Sequence, residues 1–269
     1  MIKALFFDLD GTLLNSEKKI PVSARDAIRQ WREKGAKVFF ASARSPRLDQ
    51  TLGWTQEEFA LFDGGIYSNG ASVDFMGEQR YCFVHPDAVR CAVEMAERFS
   101  VHVSLHMPGD GYAFNFPVAE SMNKGWGLEN ARICPMDEEA VGNTVKVLIF
   151  TRYLTDSVDA LPDALTAAVT EKCRELARVY VTDEGRTVQL SGLDAGKTKA
   201  IDRIRVALGL TLDEVAVFGD DVNDLEMIMH YPNSVAMGNA CDVVKNAAKY
   251  VTFANDAGGI AHALRHLLT

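Results

Sequence analysis

Apolar residues in this chain gather into short runs that stop abruptly at polar groups, and these runs alternate with stretches of helical spacing. Ala4-Leu5-Phe6-Phe7 is the first run, too brief for a comfortable helix and suited to a strand buried on both faces. It ends in Asp8-Leu9-Asp10-Gly11-Thr12, where Gly11 allows a tight turn away from the strand. Ser23 can then cap a helix whose apolar positions Ala24, Ala27, Ile28 and Trp31 recur at helical spacing, with Gly35 ending it. Lys37 to Ala41 (KVFFA) predicts a second strand, which closes on Ser42, Ala43 and Arg44. Strand, helix, strand is the unit from which parallel sheets are built. Ile66 to Ser68 predicts a short third strand, and Asn69-Gly70 followed by Ala71 to Phe75 predicts a plain hairpin.

From about Phe83 to Leu190 the alternation changes character. Val101 to Leu105 and Tyr112 to Phe116 flank a hairpin signal at Pro108-Gly109-Asp110-Gly111, and Lys146 to Phe150, Val179 to Thr182 and Thr187 to Leu190 predict further strands. Helices are expected over Val89 to Phe99 and over Val158 to Leu176, the latter with Pro162 in its first turn. This reads as an α+β insert over residues 83–189, tethered by two short crossings to a core made of residues 1–82 and 190–269. The first pattern then returns. Asp194-Ala195-Gly196-Lys197-Thr198 opens a helix through Ala200, Ile201, Ile204 and Leu208; Val215 to Phe218 is a strand ending in Gly219-Asp220-Asp221-Val222-Asn223-Asp224. A strand over Ser234 to Met237, a helix over Ala240 to Ala247, a strand over Tyr250 to Phe253 and a helix over Gly258 to Leu268 complete it.

Composition narrows the partners. The 269 residues are 48% hydrophobic and 24% charged, enough for a sizeable core and inconsistent with extended disorder. A net charge of −9 without a long Lys/Arg run argues against a general affinity for nucleic acid or anionic membrane. Cys82, Cys91, Cys134, Cys173 and Cys241 are odd in number and never spaced as CxxC, so reduced thiols are expected, not a disulfide framework or a zinc site. No apolar stretch approaches membrane-spanning length, and Asp8 arrives before any signal-type region could develop. A soluble cytoplasmic protein is the expectation.

The strand ends carry the candidate chemistry. On an extended backbone Asp8 and Asp10 lean toward the same side, and like charges that close repel unless a cation or a shared proton lies between them. Mg²⁺, a hard ion usually held by one or two carboxylates plus substrate phosphate oxygens, suits them. In open α/β sheets ligands sit at the carboxyl ends of strands, where Ser42 offers a hydroxyl and Asp220, Asp221 and Asp224 offer three acids within five residues. Lys197 falls in the first turn of its helix, where a cation is disfavoured unless an anion is bound nearby. Gly196-Lys197-Thr198 is not a P-loop, because Ser191 stands where that motif requires its earlier glycine. His85, His102 and His106 are not spaced as a metal triad.

Taken together, DLDGT after an apolar strand, a strand-end hydroxyl, a helix-borne lysine and GDDVND follow the order of the haloacid dehalogenase superfamily, which the chain resembles over about residues 1–80 and 190–269. The long insert between the hydroxyl and the lysine is similar to the type IIB cap of the Cof-type sugar phosphatases, and SNGA resembles a segment that lies near the site in that subfamily. That resemblance implies a Rossmann-like parallel-sheet α/β core with an inserted α+β cap. It implies Asp8 as nucleophile forming an aspartyl phosphate, and Asp10 as the acid that protonates the leaving oxygen and later deprotonates water. It further implies Mg²⁺ held by Asp8, the backbone carbonyl of Asp10 and Asp220 with Asp224 in support, and a phosphoryl group faced by Leu9 N–H, Ser42, Ala43 N–H, Lys197 and Asn223. The family usually has Thr and Gly where this chain has Ser42 and Ala43, followed by the arginine present as Arg44; Ser keeps the hydroxyl. The implied activity is hydrolysis of a small phosphomonoester, a sugar phosphate for preference. A hexose phosphomutase of phosphomannomutase type and a non-catalytic phosphate-ligand binder are the alternatives.

Overall fold

The computed structural model describes residues 1–118, 126–151 and 160–268. The chain divides into two compact units, one made of Met1–Arg80 with Gly196–Thr269 and the other of Tyr81–Ala195. In chain order the strands are β1 (Ala4–Phe7), β2 (Lys37–Ala41), β3 (Gly64–Tyr67), β4 (Ser72–Phe75), β5 (Glu78–Tyr81), β6 (His102–Met107), β7 (Gly111–Phe114) and β8 (Arg132–Ile133), then β9 (Lys146–Phe150), β10 (Ala177–Thr182), β11 (Thr187–Gly192), β12 (Val215–Gly219), β13 (Asn233–Ala236) and β14 (Tyr250–Val251). The helices that bear on the argument are α1 (Val22–Glu33), α2 (Pro86–Arg98), α3 (Asp163–Cys173), α4 (Lys197–Ala207) and α5 (Gly259–His266).

The first unit is built on an eight-stranded sheet in the order β14-β13-β12-β1-β2-β3-β4-β5. β1 runs parallel between β12 and β2, and its register pairs Phe7 with both Phe218 and Phe40. All of β1 is buried, as a central parallel strand covered on both faces must be, which is why its sequence is a continuous apolar run. Phe6 stacks on Phe39 at 4.8 Å and Phe7 packs against Phe218 at 4.5 Å; burying each such ring contributes roughly 1.5–3 kcal/mol. α1 turns Ala24, Ala27, Ile28 and Trp31 into this core, and the Trp31 indole N–H donates to the Leu264 carbonyl of α5 at 2.9 Å. The helix starts one residue before Ser23, with Pro21 at the cap position and no side-chain cap. The expected hairpin forms between β3 and β4, which are antiparallel, but β3 begins at Gly64 and Ser68 already belongs to the turn.

The second unit holds a six-stranded sheet in the order β10-β11-β9-β6-β7-β8. Its neighbours are antiparallel apart from the β7–β8 pair, so this is an α+β arrangement. Val103, Leu105, Val147, Ile149, Val188 and Leu190 form one core with Val89 and Ala92 of α2 and Leu165 and Val169 of α3. These strand residues alternate with others that face away, so one side of the sheet is lined by helices and the other is not covered by this core. The helix expected from Val158 starts at Asp163 with Pro162 at its cap; Val158 itself lies outside the described residues. No helix among the described residues is long and apolar enough to cross a membrane.

Candidate active site

Because β1, β12 and β2 are parallel and in register, the residues that follow Phe7, Phe218 and Ala41 emerge along one edge of the first unit's sheet. Asp8 sits there, anchored by its N–H donating to the Phe218 carbonyl at 3.0 Å, and is only 5% exposed. Lys197, the first residue of α4, donates from Nζ to Asp8 Oδ1 at 2.5 Å and to Asp224 Oδ1 at 2.6 Å. The other oxygen of Asp224 accepts the backbone N–H groups of Asp220 and Asp221 at 3.0 and 3.2 Å. Asp220 takes the Thr12 hydroxyl on Oδ1 at 2.6 Å. Each of Asp8, Asp220 and Asp224 has an oxygen within 4.8 Å of the others'.

Three carboxylates around a single ammonium leave a surplus of negative charge. Burial pushes the Asp8 carboxyl well above its usual range; Lys197 pulls it down, and Asp224 and Asp220 push it up further. Burial likewise raises Asp220 to about 6, against the Thr12 hydroxyl and with help from Asp224 and Asp221. Burial alone would lower Lys197, but Asp224 and Asp8 outweigh it and hold the ammonium above its ordinary range. Both oxygens of Asp224 are occupied, whereas Asp8 Oδ2 and Asp220 Oδ2 accept no hydrogen bond among the described residues. Two free carboxylate oxygens amid excess negative charge are the donor set that a hard divalent cation prefers. Asp8 and Asp220 could therefore hold such an ion, with Asp224 as a support that fixes Lys197 and the loop backbone.

Asp10 does not face the same partners as Asp8, because the chain leaves its extended course at Asp8 and the two-residue alternation no longer applies. Its carboxylate accepts Arg44 Nε and Nη2 at 2.6 and 2.7 Å in a bidentate pair, and Lys18 Nζ at 2.8 Å. Burial opposes ionisation of Asp10, but Arg44 and Lys18 together hold its carboxyl below the usual range. Ser42 is buried, its N–H donating to the Ile66 carbonyl and its Oγ accepting the Arg44 N–H at 3.1 Å. Ala43 beside it is half-buried, Leu9 is fully buried, and Asn223 is exposed. Asn223 Nδ2 reaches Asn69 Oδ1 at 3.4 Å, and the Asn69 N–H donates to the Ser42 carbonyl at 2.9 Å. Thus Asp8, Lys197, Asp220 and Asp224 form one cluster, while Ser42 and Asn223 are joined through Asn69.

Sequence reasoning misses Lys18, because nothing in Glu17-Lys18-Lys19 distinguishes one lysine from its neighbour; for Asn69 the only signal is the resemblance of SNGA to a segment near the site, which does not give its link to Ser42 and Asn223. Here Ser68, Asn69 and Gly70 all take positive φ, at 49°, 54° and 96°. The turn rests directly on the start of α4: a Cβ on Gly70 would lie 2.4 Å from the Gly196 carbonyl oxygen, so only glycine fits. Gly11 is similarly constrained, with φ of 78° and a notional Cβ 2.2 Å from Asp220 Oδ2. Gly11→Ala is expected to cost about 1–2 kcal/mol through its φ alone and to weaken divalent-metal binding by displacing Asp220. Calorimetric metal titration of the folded variant checks this, and an unchanged affinity would remove Asp220 from the ligand set.

Known proteins share the sequence pattern and the fold. The family model for haloacid dehalogenase-like hydrolases matches residues 5–264. The 5-amino-6-(5-phospho-D-ribitylamino)uracil phosphatase YcsE of Bacillus subtilis (strain 168) is 28% identical over 269 aligned residues, covering 98% of this chain and 95% of that protein. The phosphatase YitU of the same strain, with the same named activity, is 27% identical, covering 96% of this chain and 94% of the relative. Among solved structures, the HAD subclass IIB sugar phosphatase BT4131 superposes with a TM-score of 0.79 at 28% identity, covering 98% of each chain. A full-length family match, phosphatase relatives along the whole chain and a shared fold converge: the chain belongs to the haloacid dehalogenase-like hydrolases and is a phosphatase of their Cof-type, IIB-cap branch.

Proposed function

We propose that the protein is a Mg²⁺-dependent phosphomonoesterase that acts on a small phosphorylated metabolite, a sugar phosphate by preference, through an aspartyl phosphate on Asp8. The observation that carries the proposal is the buried Asp8 carboxylate, bonded to Lys197 on one oxygen and, among the described residues, free of hydrogen bonds on the other, beside Asp220 and Asp224. Oδ2 of Asp8 attacks phosphorus; the P–O bond to the leaving group breaks, and its electron pair leaves with that oxygen. Asp10 protonates the leaving oxygen and then deprotonates the water that cleaves the acyl phosphate. In the resting arrangement Asp10 is an ionised partner of Arg44 and Lys18, so before the acid step it takes a proton from solvent water as those bonds loosen. Lys197, the Ser42 hydroxyl, the Leu9 and Ala43 N–H groups and Asn223 face the phosphoryl oxygens and offset the charge that spreads over them. Asp8, the Asp10 carbonyl and Asp220 would hold Mg²⁺, which when bound supplies charge neutralisation to the transferring group. The sugar-phosphate preference is supported by BT4131, a sugar phosphatase, and by the two relatives that act on a phosphorylated ribityl compound.

The test is hydrolysis of p-nitrophenyl phosphate and of a panel of phosphorylated metabolites with Mg²⁺, then after its removal, then after its return. Turnover that ignores chelation would overturn the metal dependence. A pH effect follows from Asp220, whose folded-state pKa of about 6 lies above the usual carboxylate value, so protons compete with the metal as pH falls through that range. Mg²⁺ affinity measured by calorimetry is expected to fall about tenfold for each unit below about pH 6. An affinity flat down to about pH 5 would show that Asp220 does not have to lose a proton for the ion to bind.

A further inference from the structure

Two of the five cysteines meet in the helical layer of the second unit, and all five are thiols in the structure. Cys91 lies in the middle of α2, Cys173 is the last residue of α3, and the two helices pack against each other. Cys173 continues the buried stripe of Leu165 and Val169 at helical spacing, in one core with the fully buried Ala88 and Ala92 of α2. Side chains as small as alanine let two helix backbones approach closely. The Cys173 S–H donates to the Ala88 carbonyl oxygen at 3.8 Å. Helix side chains tilt back toward the N-terminus, so a carbonyl oxygen lies beside the side chains three and four positions on. A sulfur seated on the Ala88 oxygen therefore lies against Cys91 and Ala92.

The two sulfurs differ in their surroundings. Burial pushes the Cys173 thiol up to about 12, and the neighbouring Cys91, by its charge and by a hydrogen bond between the two, pushes it the same way. Cys173 therefore keeps its proton at neutral pH and does not begin a reaction, since the thiolate is the nucleophile. Cys91 is half-buried, so it is the sulfur that a small oxidant reaches from solvent. A disulfide needs side chains that converge; cysteines that point apart cannot be bridged without moving backbone. Thiols in hydrogen-bond contact between two packed helices already converge.

We propose that Cys91 and Cys173 are a peroxide-responsive dithiol, with Cys91 the sulfur oxidised first and Cys173 the one that resolves it into a disulfide. The Cys91 thiol gives its proton to solvent, and the thiolate attacks one oxygen of hydrogen peroxide. The O–O bond breaks, the departing hydroxide takes up a proton and leaves as water, and Cys91 becomes a sulfenic acid. The Cys173 sulfur then attacks the Cys91 sulfur; the S–O bond breaks, and hydroxide leaves as water with the Cys173 proton. The sulfurs are oxidised to the disulfide and the peroxide is reduced to water. The new bond ties the end of α3 to the middle of α2 and closes a loop of about 80 residues, which restricts the unfolded chain and stabilises the second unit. The site stands on the second unit's own residues and does not depend on the phosphatase chemistry of the first.

The full-length protein is treated with a small excess of hydrogen peroxide and denatured, its remaining thiols are alkylated, and its peptides are mapped by mass. Two of the five thiols are expected to escape alkylation, in a peptide pair that joins Cys91 to Cys173, and a dithiol reductant is expected to restore all five. The melting temperature is expected to rise by roughly 5–10 °C on oxidation and to return on reduction. Cys91→Ala, at a half-buried position where little packing is lost, is expected to abolish both the linked peptide and the shift. Cys173→Ala is expected to leave Cys91 as a sulfenic acid that dimedone captures, a signature that a pair with only a packing role does not give. Five alkylatable thiols after peroxide, a link between any other two cysteines, or the same temperature shift in Cys91→Ala as in the parent would overturn the proposal.

Discussion

Replacing Asp8 by asparagine is expected to reduce phosphatase turnover by roughly four orders of magnitude or more. Asn keeps the shape of the side chain and an oxygen for Lys197, but its amide cannot attack phosphorus. The variant should remain folded, because Lys197 keeps Asp224 at 2.6 Å and one buried negative charge is removed from a crowded set. It should not be less stable than the parent in metal-free buffer: burial, Asp224 and Asp220 all disfavour the ionised form of Asp8, so neutralising it relieves repulsion. The readouts are steady-state hydrolysis of p-nitrophenyl phosphate and the mass of protein quenched during turnover. The parent should gain one phosphoryl group and the variant none. Turnover by the variant at even a tenth of the parental rate would remove Asp8 as nucleophile.

Lys197→Met should have the largest effect on stability. Lys197 is 3% exposed and joins two buried carboxylates that lie at opposite ends of the sequence, on β1's exit and on the loop after β12. Removing one partner of a buried ion pair leaves uncompensated charge, which costs about 3–5 kcal/mol, or about 10 °C in melting temperature for a domain of this size. The loss should be largest above the carboxylate pKa values and shrink on acidification, because Asp8 and Asp220 are both raised and take up protons readily. Two controls isolate the cause. Adding Mg²⁺, or adding Asp8→Asn to the Lys197→Met background, should each return part of the lost stability by reducing the surplus negative charge. A melt insensitive to pH, to metal and to the second substitution would mean that the loss arises from packing alone. Activity is expected to fall by about a hundred- to a thousandfold as well, since Lys197 faces the charge that develops on the phosphoryl group.

Much of this molecule could be read before its coordinates. Strands with no polar alternation, such as Ala4–Phe7 and Val215–Gly219, must be covered on both sides, and helical stretches between them leave a parallel sheet as the natural arrangement. Given that, Asp8, Ser42 and Asp220 each follow a strand and so arrive at one edge, and the helix signal at Gly196 brings Lys197 to its first turn. The boundaries that slipped did so for local reasons, as where Pro21 and not Ser23 sits at the start of α1, and where Ser68 enters a left-handed turn instead of extending β3.

What the linear order of residues settled was therefore the class of fold and the sheet edge where the carboxylates and Lys197 gather, because burial and periodicity are local properties of a run. The pairings within that edge were decided only by the folded chain. Extended spacing would put Asp8 and Asp10 on one cation; instead Asp8 goes to Lys197, and Asp10 to Arg44 and to Lys18, a lysine with no signature. The Asn69 link between Ser42 and Asn223 likewise joins residues far apart in sequence through turn geometry. Such contacts depend on where side chains end, and that is fixed by distant backbone packing, not by a residue's neighbours along the chain.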